Sequence, residues 1–156
     1  MPPETQLVHG TAIAFGPKAI LLRGKPGSGK SSLALMLMET TGNGLGKMPM
    51  TAELVADDQT LLTLKAGKVL VQAPENLQGL LEVRGIGIIP VDFAAEAELA
   101  LVVDLVATAE ITRLPESAEA TTQLLGQMFP RVFLDASLPQ TASRLRLAFL
   151  QLVRQS

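Results

Sequence analysis

The sequence predicts one domain over residues 1–156, of α/β class with α+β character, built on a mixed β-sheet. Three observations lead there. A strand–loop–helix unit occupies residues 18–40, short β-type runs fill much of the remaining chain, and hairpin turns join several of those runs. Hairpins pair neighbouring strands antiparallel, which argues against a purely parallel, doubly wound sheet. A chain of 156 residues suits a single core, and its 47% apolar content is spread along the whole length, which argues against disorder.

The elements follow in order. Leu7–Phe15 and Lys18–Arg23 read as strands separated by a Gly16-Pro17 turn. Gly24–Gly29 is a glycine-rich loop, and Ser31–Thr40 (SSLALMLMET) consists of helix formers that stop at Thr41-Gly42-Asn43-Gly44. Gly42–Met50 is the most loop-like stretch. Strands are expected at Glu53–Ala56, Thr60–Leu64 and Lys68–Gln72, the last two joined by the hairpin signal Lys65-Ala66-Gly67. Leu80–Arg84, Ile86–Val91, Leu99–Val106 and Arg131–Leu134 add further strands. A helix is expected from Pro139 to Val153, with Ser137 and Gln140 as a capping box and Leu145, Ala148, Phe149 and Leu152 as its apolar face.

Composition narrows the function. The net charge of −2 supplies no basic face for nucleic acid, and the absence of Trp and Tyr leaves few stacking platforms for bases. Without cysteine there is neither a disulfide nor thiolate chemistry. Residues 1–8 lack the pattern of a secretion signal, and charges interrupt every apolar run well short of a membrane span. The expectation is a soluble, cytoplasmic protein.

Gly24-Lys25-Pro26-Gly27-Ser28-Gly29-Lys30-Ser31 satisfies G-x-x-x-x-G-K-[ST] at every fixed position. Its glycines allow backbone N–H groups to converge on phosphate oxygens, and the helix that follows adds its N-terminal dipole. In such a loop Lys30 addresses the β and γ phosphates and the Ser31 hydroxyl ligates Mg²⁺. The flanks agree, since an apolar strand enters the loop and a helix leaves it. The motif points to ATP-Mg²⁺ and phosphoryl transfer to a hydroxyl.

Such chemistry needs a carboxylate at a strand end. Leu101-Val102-Val103-Asp104 fits the generic pattern, and Leu54-Val55-Ala56-Asp57-Asp58 offers two adjacent carboxylates that strand alternation would send in different directions. A solvated turn is the plainer reading of the second. Glu82 and Arg84 alternate onto one strand face, where they could address metal and phosphate or simply take part in a cross-strand ion pair on an exposed edge. His9 is the only histidine, and pattern alone gives it no catalytic role.

In their order along the chain, Val8-His9-Gly10, the glycine-rich loop, Leu54–Asp58 and Leu81-Glu82-Val83-Arg84-Gly85-Ile86-Gly87-Ile88-Ile89 resemble the catalytic domain of the bacterial HPr kinase/phosphorylase family. The E-x-R-G-x-G-I-I stretch is the most specific part, and the resemblance covers residues 7–91. It implies a mixed sheet related to phosphoenolpyruvate carboxykinases and an ATP- and Mg²⁺-dependent serine kinase acting on HPr, with possible reversal by inorganic phosphate. The nucleotide-binding set is then Gly24, Lys25, Pro26, Gly27, Ser28, Gly29, Lys30, Ser31 and Ser32. Asp57 is implied as the general base, supported by Asp58 and His9, with Arg84 beside them. Ser31, Glu82 and Asp57 form the metal site, and Asp104 becomes a structural residue. A homo-oligomer, a hexamer in the family, is also implied, with a role in phosphotransferase or carbon and nitrogen regulation.

Three departures accompany the resemblance. The chain starts almost at the histidine, as in a short form without the N-terminal domain of long members. The Gly42–Met50 loop exceeds the family pattern, and the C-terminal part has no clear match for the family's catalytic arginine, for which Arg131 and Arg144 are candidates by position. A small-molecule kinase and a nucleotide-sensing module with little turnover are the alternative readings.

Overall fold

The computed structural model describes residues 3–113, 116 and 118–154. In chain order the elements are β1 (Glu4–His9), β2 (Thr11–Phe15), β3 (Lys18–Arg23), α1 (Lys30–Glu39), β4 (Glu53–Ala56), β5 (Gln59–Lys65), β6 (Lys68–Gln72), β7 (Leu80–Val83), β8 (Gly87–Pro90), β9 (Ala97–Leu105), β10 (Thr121–Leu124), β11 (Gln127–Leu134) and α2 (Thr141–Arg154). The main sheet runs β1-β5-β6-β9-β3-β2-β4 and is mixed, as expected. Strand β9 is its fork. Beside β3 it runs parallel, while along its other edge Ala97 and Glu98 pair antiparallel with β6 and Val102–Leu105 pair parallel with β11. The β7–β8 hairpin forms a separate two-stranded sheet.

Strand alternation builds two cores. Ile20 and Leu22 of β3 point to the face covered by both helices, where they meet Leu33 and Leu37 of α1 and Leu145 and Phe149 of α2. Phe15 and Phe149 stack there with ring centroids 5.1 Å apart. Ala19 and Leu21 point to the opposite face, which is rich in alanine: Ala12, Ala14, Ala56, Ala73 and Ala97 lie in the same cluster. Those small side chains let the sheet curl, so that β2 and β4 approach β5 and β6 across this face. Among the described residues no helix is long and apolar enough to cross a membrane.

Four expectations change. The run Leu7–Phe15 is two strands, because a Cβ on Gly10 would lie 2.9 Å from both Leu21 Cδ1 and the Leu22 carbonyl. Glycine lets the chain pass there from the β5 partner to the β3 partner. Arg84 lies in the turn between β7 and β8 and not on a strand with Glu82. The capping box is absent: Ser137 N–H and Oγ both donate to Asp135 Oδ1, at 2.9 and 2.6 Å, and the helix starts only at Thr141. The β10–β11 hairpin was not anticipated. Its turn puts Leu125 and Gly126 at φ 48° and 75°, and leucine is a rare choice for that left-handed region.

Candidate functional site

The glycine-rich loop leaves the C-terminal end of β3 and closes at the first residue of α1. Gly27 and Gly29 adopt φ 82° and 98°, accessible to glycine without a Cβ clash. The Ser28 N–H donates to the Lys25 carbonyl at 3.0 Å, which folds the loop tightly. A Cβ on Gly29 would come within 2.8 Å of Ala136, so the loop rests against the turn after β11. Asp135 anchors that turn. Its carboxyl is pulled down to about 2, first by the Ser137 hydroxyl and then by the Thr108 hydroxyl, with the two backbone N–H groups adding to them. Ser28 Oγ is buried without a hydrogen-bond partner among the described residues. Lys30 Nζ curls back over the loop and donates to the carbonyls of Gly24 and Lys25 at 2.9 and 3.2 Å.

The loop is joined to two distant segments by one carboxylate. Asp57, 8% exposed, follows β4. Its Oδ1 accepts from Ser31 Oγ at 2.6 Å and Thr11 Oγ1 at 2.9 Å, and its Oδ2 accepts from the Glu82 N–H at 2.9 Å. Loop, β2 and β7 therefore meet at a single side chain. Asp58 departs from this pattern. It adopts φ 66°, a conformation that aspartate tolerates better than most residues, donates its N–H to Thr11 Oγ1 at 3.1 Å, and leaves its side chain exposed. A two-residue β4–β5 connection thus points one carboxylate inward and the other outward.

A cleft of about 600 Å³ opens between the loop and the β7–β8 hairpin. Lys30, Ser31, Ser32, Asp58, Glu82 and Arg84 supply its polar lining, together with Pro26, Gly27 and Gly29 of the loop. Asp57 stands behind Ser31 and does not line it. His9 is exposed and pairs in register with Gln59, next to the aspartate turn but outside the lining residues. Neither Glu82 nor Arg84 takes part in an ion pair among the described residues, against the cross-strand ion-pair reading of that segment.

The other charged candidates lie elsewhere. Asp104 accepts from Arg23 Nε at 2.7 Å and Nη2 at 2.9 Å, and Arg131 Nη1 lies 3.6 Å from it. Arg131 also donates to the Glu119 carbonyl at 2.8 Å and stacks over Phe133. Arg144 lines a second groove with Asn43 and Leu45. Thr11 escaped the sequence reading; a threonine in the otherwise apolar run Thr11–Phe15 was the available signal.

The donor types fit a phosphate and a hard cation. The first N–H groups of α1 and the glycine backbone can receive anionic oxygens, and among the described residues Lys30 is held only by two carbonyls it can leave. Ser31, Asp57 and Glu82 offer oxygen only, as Mg²⁺ requires. Among the described residues no group of three or more His, Cys, Asp or Glu is placed to hold a metal ion.

Residues 3–137 match the family described as the HPr serine kinase C-terminal domain. The HPr kinase/phosphorylase of Bordetella pertussis is 35% identical over 144 residues, covering 85% of this chain and 43% of that protein. That of Stenotrophomonas maltophilia is 41% identical over 86 residues, covering 54% of this chain and 24% of that protein. The chain thus spans less than half the length of these relatives. A solved structure of the Hpr(Ser) kinase/phosphatase from Coxiella burnetii superposes with a TM-score of 0.76, covering 96% of this chain and 91% of that one at 22% identity, a likeness of fold.

Proposed function

The chain belongs to the HPr serine kinase C-terminal domain family, and from that premise we propose that it is an ATP- and Mg²⁺-dependent protein-serine kinase whose acceptor is an HPr-type phosphocarrier. The observation that carries this reading is the Asp57 junction. One carboxylate ties the phosphate-loop serine to the backbone of Glu82, so that three separated motifs furnish one cleft.

The residues divide the work as follows. The loop N–H groups and the start of α1 hold the phosphates, and Lys30 exchanges its carbonyl partners for the β and γ oxygens. Ser31 and Glu82, which line the cleft, would hold Mg²⁺ with Asp57 orienting both from behind, and the bound cation would offset charge developing on the transferred group. Asp57 is the implied general base, yet both its oxygens are already occupied and it is buried. Asp58 is exposed on the cleft wall, which supports giving it the proton of the acceptor serine and leaving Asp57 to position Ser31 and Glu82. Arg84 faces the same cleft and can screen the phosphoryl oxygens.

The test is incubation with γ-labelled ATP and Mg²⁺, with and without HPr, beside Lys30→Ala as control. Label is expected on HPr with the wild type and not with the variant. Nucleotide binding without transfer to any acceptor would return the protein to a sensing module, and label on a metabolite would make it a small-molecule kinase.

A further inference from the structure

Arg146 on α2 is a buried cation with no carboxylate beside it. It is 3% exposed, and among the described residues it takes part in no ion pair. Burial holds its guanidinium below the ordinary arginine value. Nε donates to the Met50 carbonyl at 3.2 Å, and Nη2 donates to the carbonyls of Leu37 and Thr40 at 3.1 and 2.7 Å. Those dipoles offset part of the charge, yet among the described residues nothing accepts from Nη1. Nη1 lies against Gly42, where a Cβ would come within 3.0 Å of it. Glycine at that position leaves this edge of the guanidinium uncovered.

Gly42 and Arg146 both border a groove of about 310 Å³ between the start of the 42–50 loop and α2, a size at the small end of ligand pockets. Ser143 and Arg144 give it a polar wall, Leu45 and Leu147 an apolar one, and no Asp or Glu lines it. Ser143 and Arg144 belong to the first turn of α2, whose unmatched N–H groups add partial positive charge. The groove shares no lining residue with the phosphate-loop cleft. A buried guanidinium with a spare donor gains most from a carboxylate or other planar anion. One buried charge matches a monoanion; a phosphate dianion brings a second charge that only the exposed Arg144 could meet. We propose that this groove binds a small monocarboxylate with an aliphatic tail, the carboxylate on the open edge of Arg146 and the tail against Leu45 and Leu147. Such a ligand would tie the loop to α2, and the site does not depend on the kinase reading.

The experiment titrates the full chain with sodium hexanoate at constant ionic strength, followed by calorimetry, thermal melts and amide exchange. Binding should saturate, with a Kd on the order of a millimolar. At ten times that concentration Tm should rise by about 3–6 °C, and exchange should slow across residues 42–50. Neutral 1-hexanol and inorganic phosphate should leave exchange in that loop unchanged. Ser143→Glu sets a tethered carboxylate one helical turn before Arg146 on the same face, and should abolish the hexanoate response. Arg144→Gln, an independent exposed change, should weaken binding about twofold to fivefold, and Lys30→Ala should respond as wild type. Circular dichroism checks that each variant folds. No saturable binding at about 10 mM overturns the site. So does an affinity unchanged in both Ser143→Glu and Arg144→Gln, or a response lost in Lys30→Ala. Equal protection of residues 42–50 by inorganic phosphate overturns the assignment to a carboxylate.

Discussion

Asp57 and Asp58 share one turn yet differ in every physical respect. The first is buried and accepts three hydrogen bonds; the second is exposed, with left-handed backbone geometry. Asp58→Asn should leave nucleotide affinity nearly intact and slow transfer by a factor of about a hundred to ten thousand, the usual worth of general-base help. Asp57→Asn should instead raise the Mg²⁺ concentration needed for half-maximal rate and lower Tm, because an amide nitrogen cannot accept where a carboxylate oxygen did. Single-turnover rates, Mg²⁺ titration and thermal melts separate the two. A large rate loss confined to Asp57→Asn at saturating Mg²⁺ would restore the base role to Asp57. The conformation of the glycine-rich loop was legible in the sequence because its requirement is local: eight consecutive residues contain the whole motif. The junction was not, since Thr11, Ser31, Asp57 and Glu82 lie far apart in the chain and meet only in the tertiary fold, through the Asp57 carboxylate.

Element boundaries show the same division between local and long-range causes. The hairpin at Ala66-Gly67 follows from local turn chemistry, whereas β10–β11 places Leu125 where no propensity would put it. Helix α2 was legible from its apolar period, but not its most constrained residue. Arg146, 3% exposed, donates to the carbonyls of Leu37, Thr40 and Met50, so it caps the end of α1 and holds the long loop closed. Arg146→Leu leaves these carbonyls unmatched and should lower stability by about 2–4 kcal/mol in urea unfolding, with faster amide exchange across residues 42–50. The Asp135 turn supplies a pH test at the same scale. Its carboxyl falls from 3.8 unfolded to about 2 folded, so its contribution is complete above the unfolded value and fades as pH drops towards the folded one. Asp135→Asn should therefore melt below wild type at neutral pH, with the difference in Tm narrowing as pH falls from about 4 to about 2.

The distribution of cations over the whole molecule bears on reversal. Phosphorolysis brings a free phosphate beside a phosphorylated serine, and the two repel by about 4 kcal/mol per pair of unit charges at 4 Å and an effective dielectric of about 20. Among the described residues the cations lining the cleft are Lys30 and Arg84. Arg23 and Arg131 are engaged by Asp104, Arg146 by carbonyls, and Arg144 lies on the second groove. Strand alternation puts Arg131 on the same face as Phe129, which packs in the alanine-rich cluster, and Arg131 does not line the cleft. Kinase activity should therefore be present while phosphorolysis runs at least about a hundredfold slower, since each 1.4 kcal/mol of uncompensated repulsion costs about tenfold. Serine-phosphorylated HPr, millimolar phosphate and Mg²⁺, supplied without nucleotide, should release pyrophosphate only slowly. A rate per subunit that climbs steeply with protein concentration would mean that a second copy contributes the missing cation. Fast release independent of concentration would refute the prediction and direct mutagenesis to Arg84, the lining arginine with no ion-pair partner among the described residues.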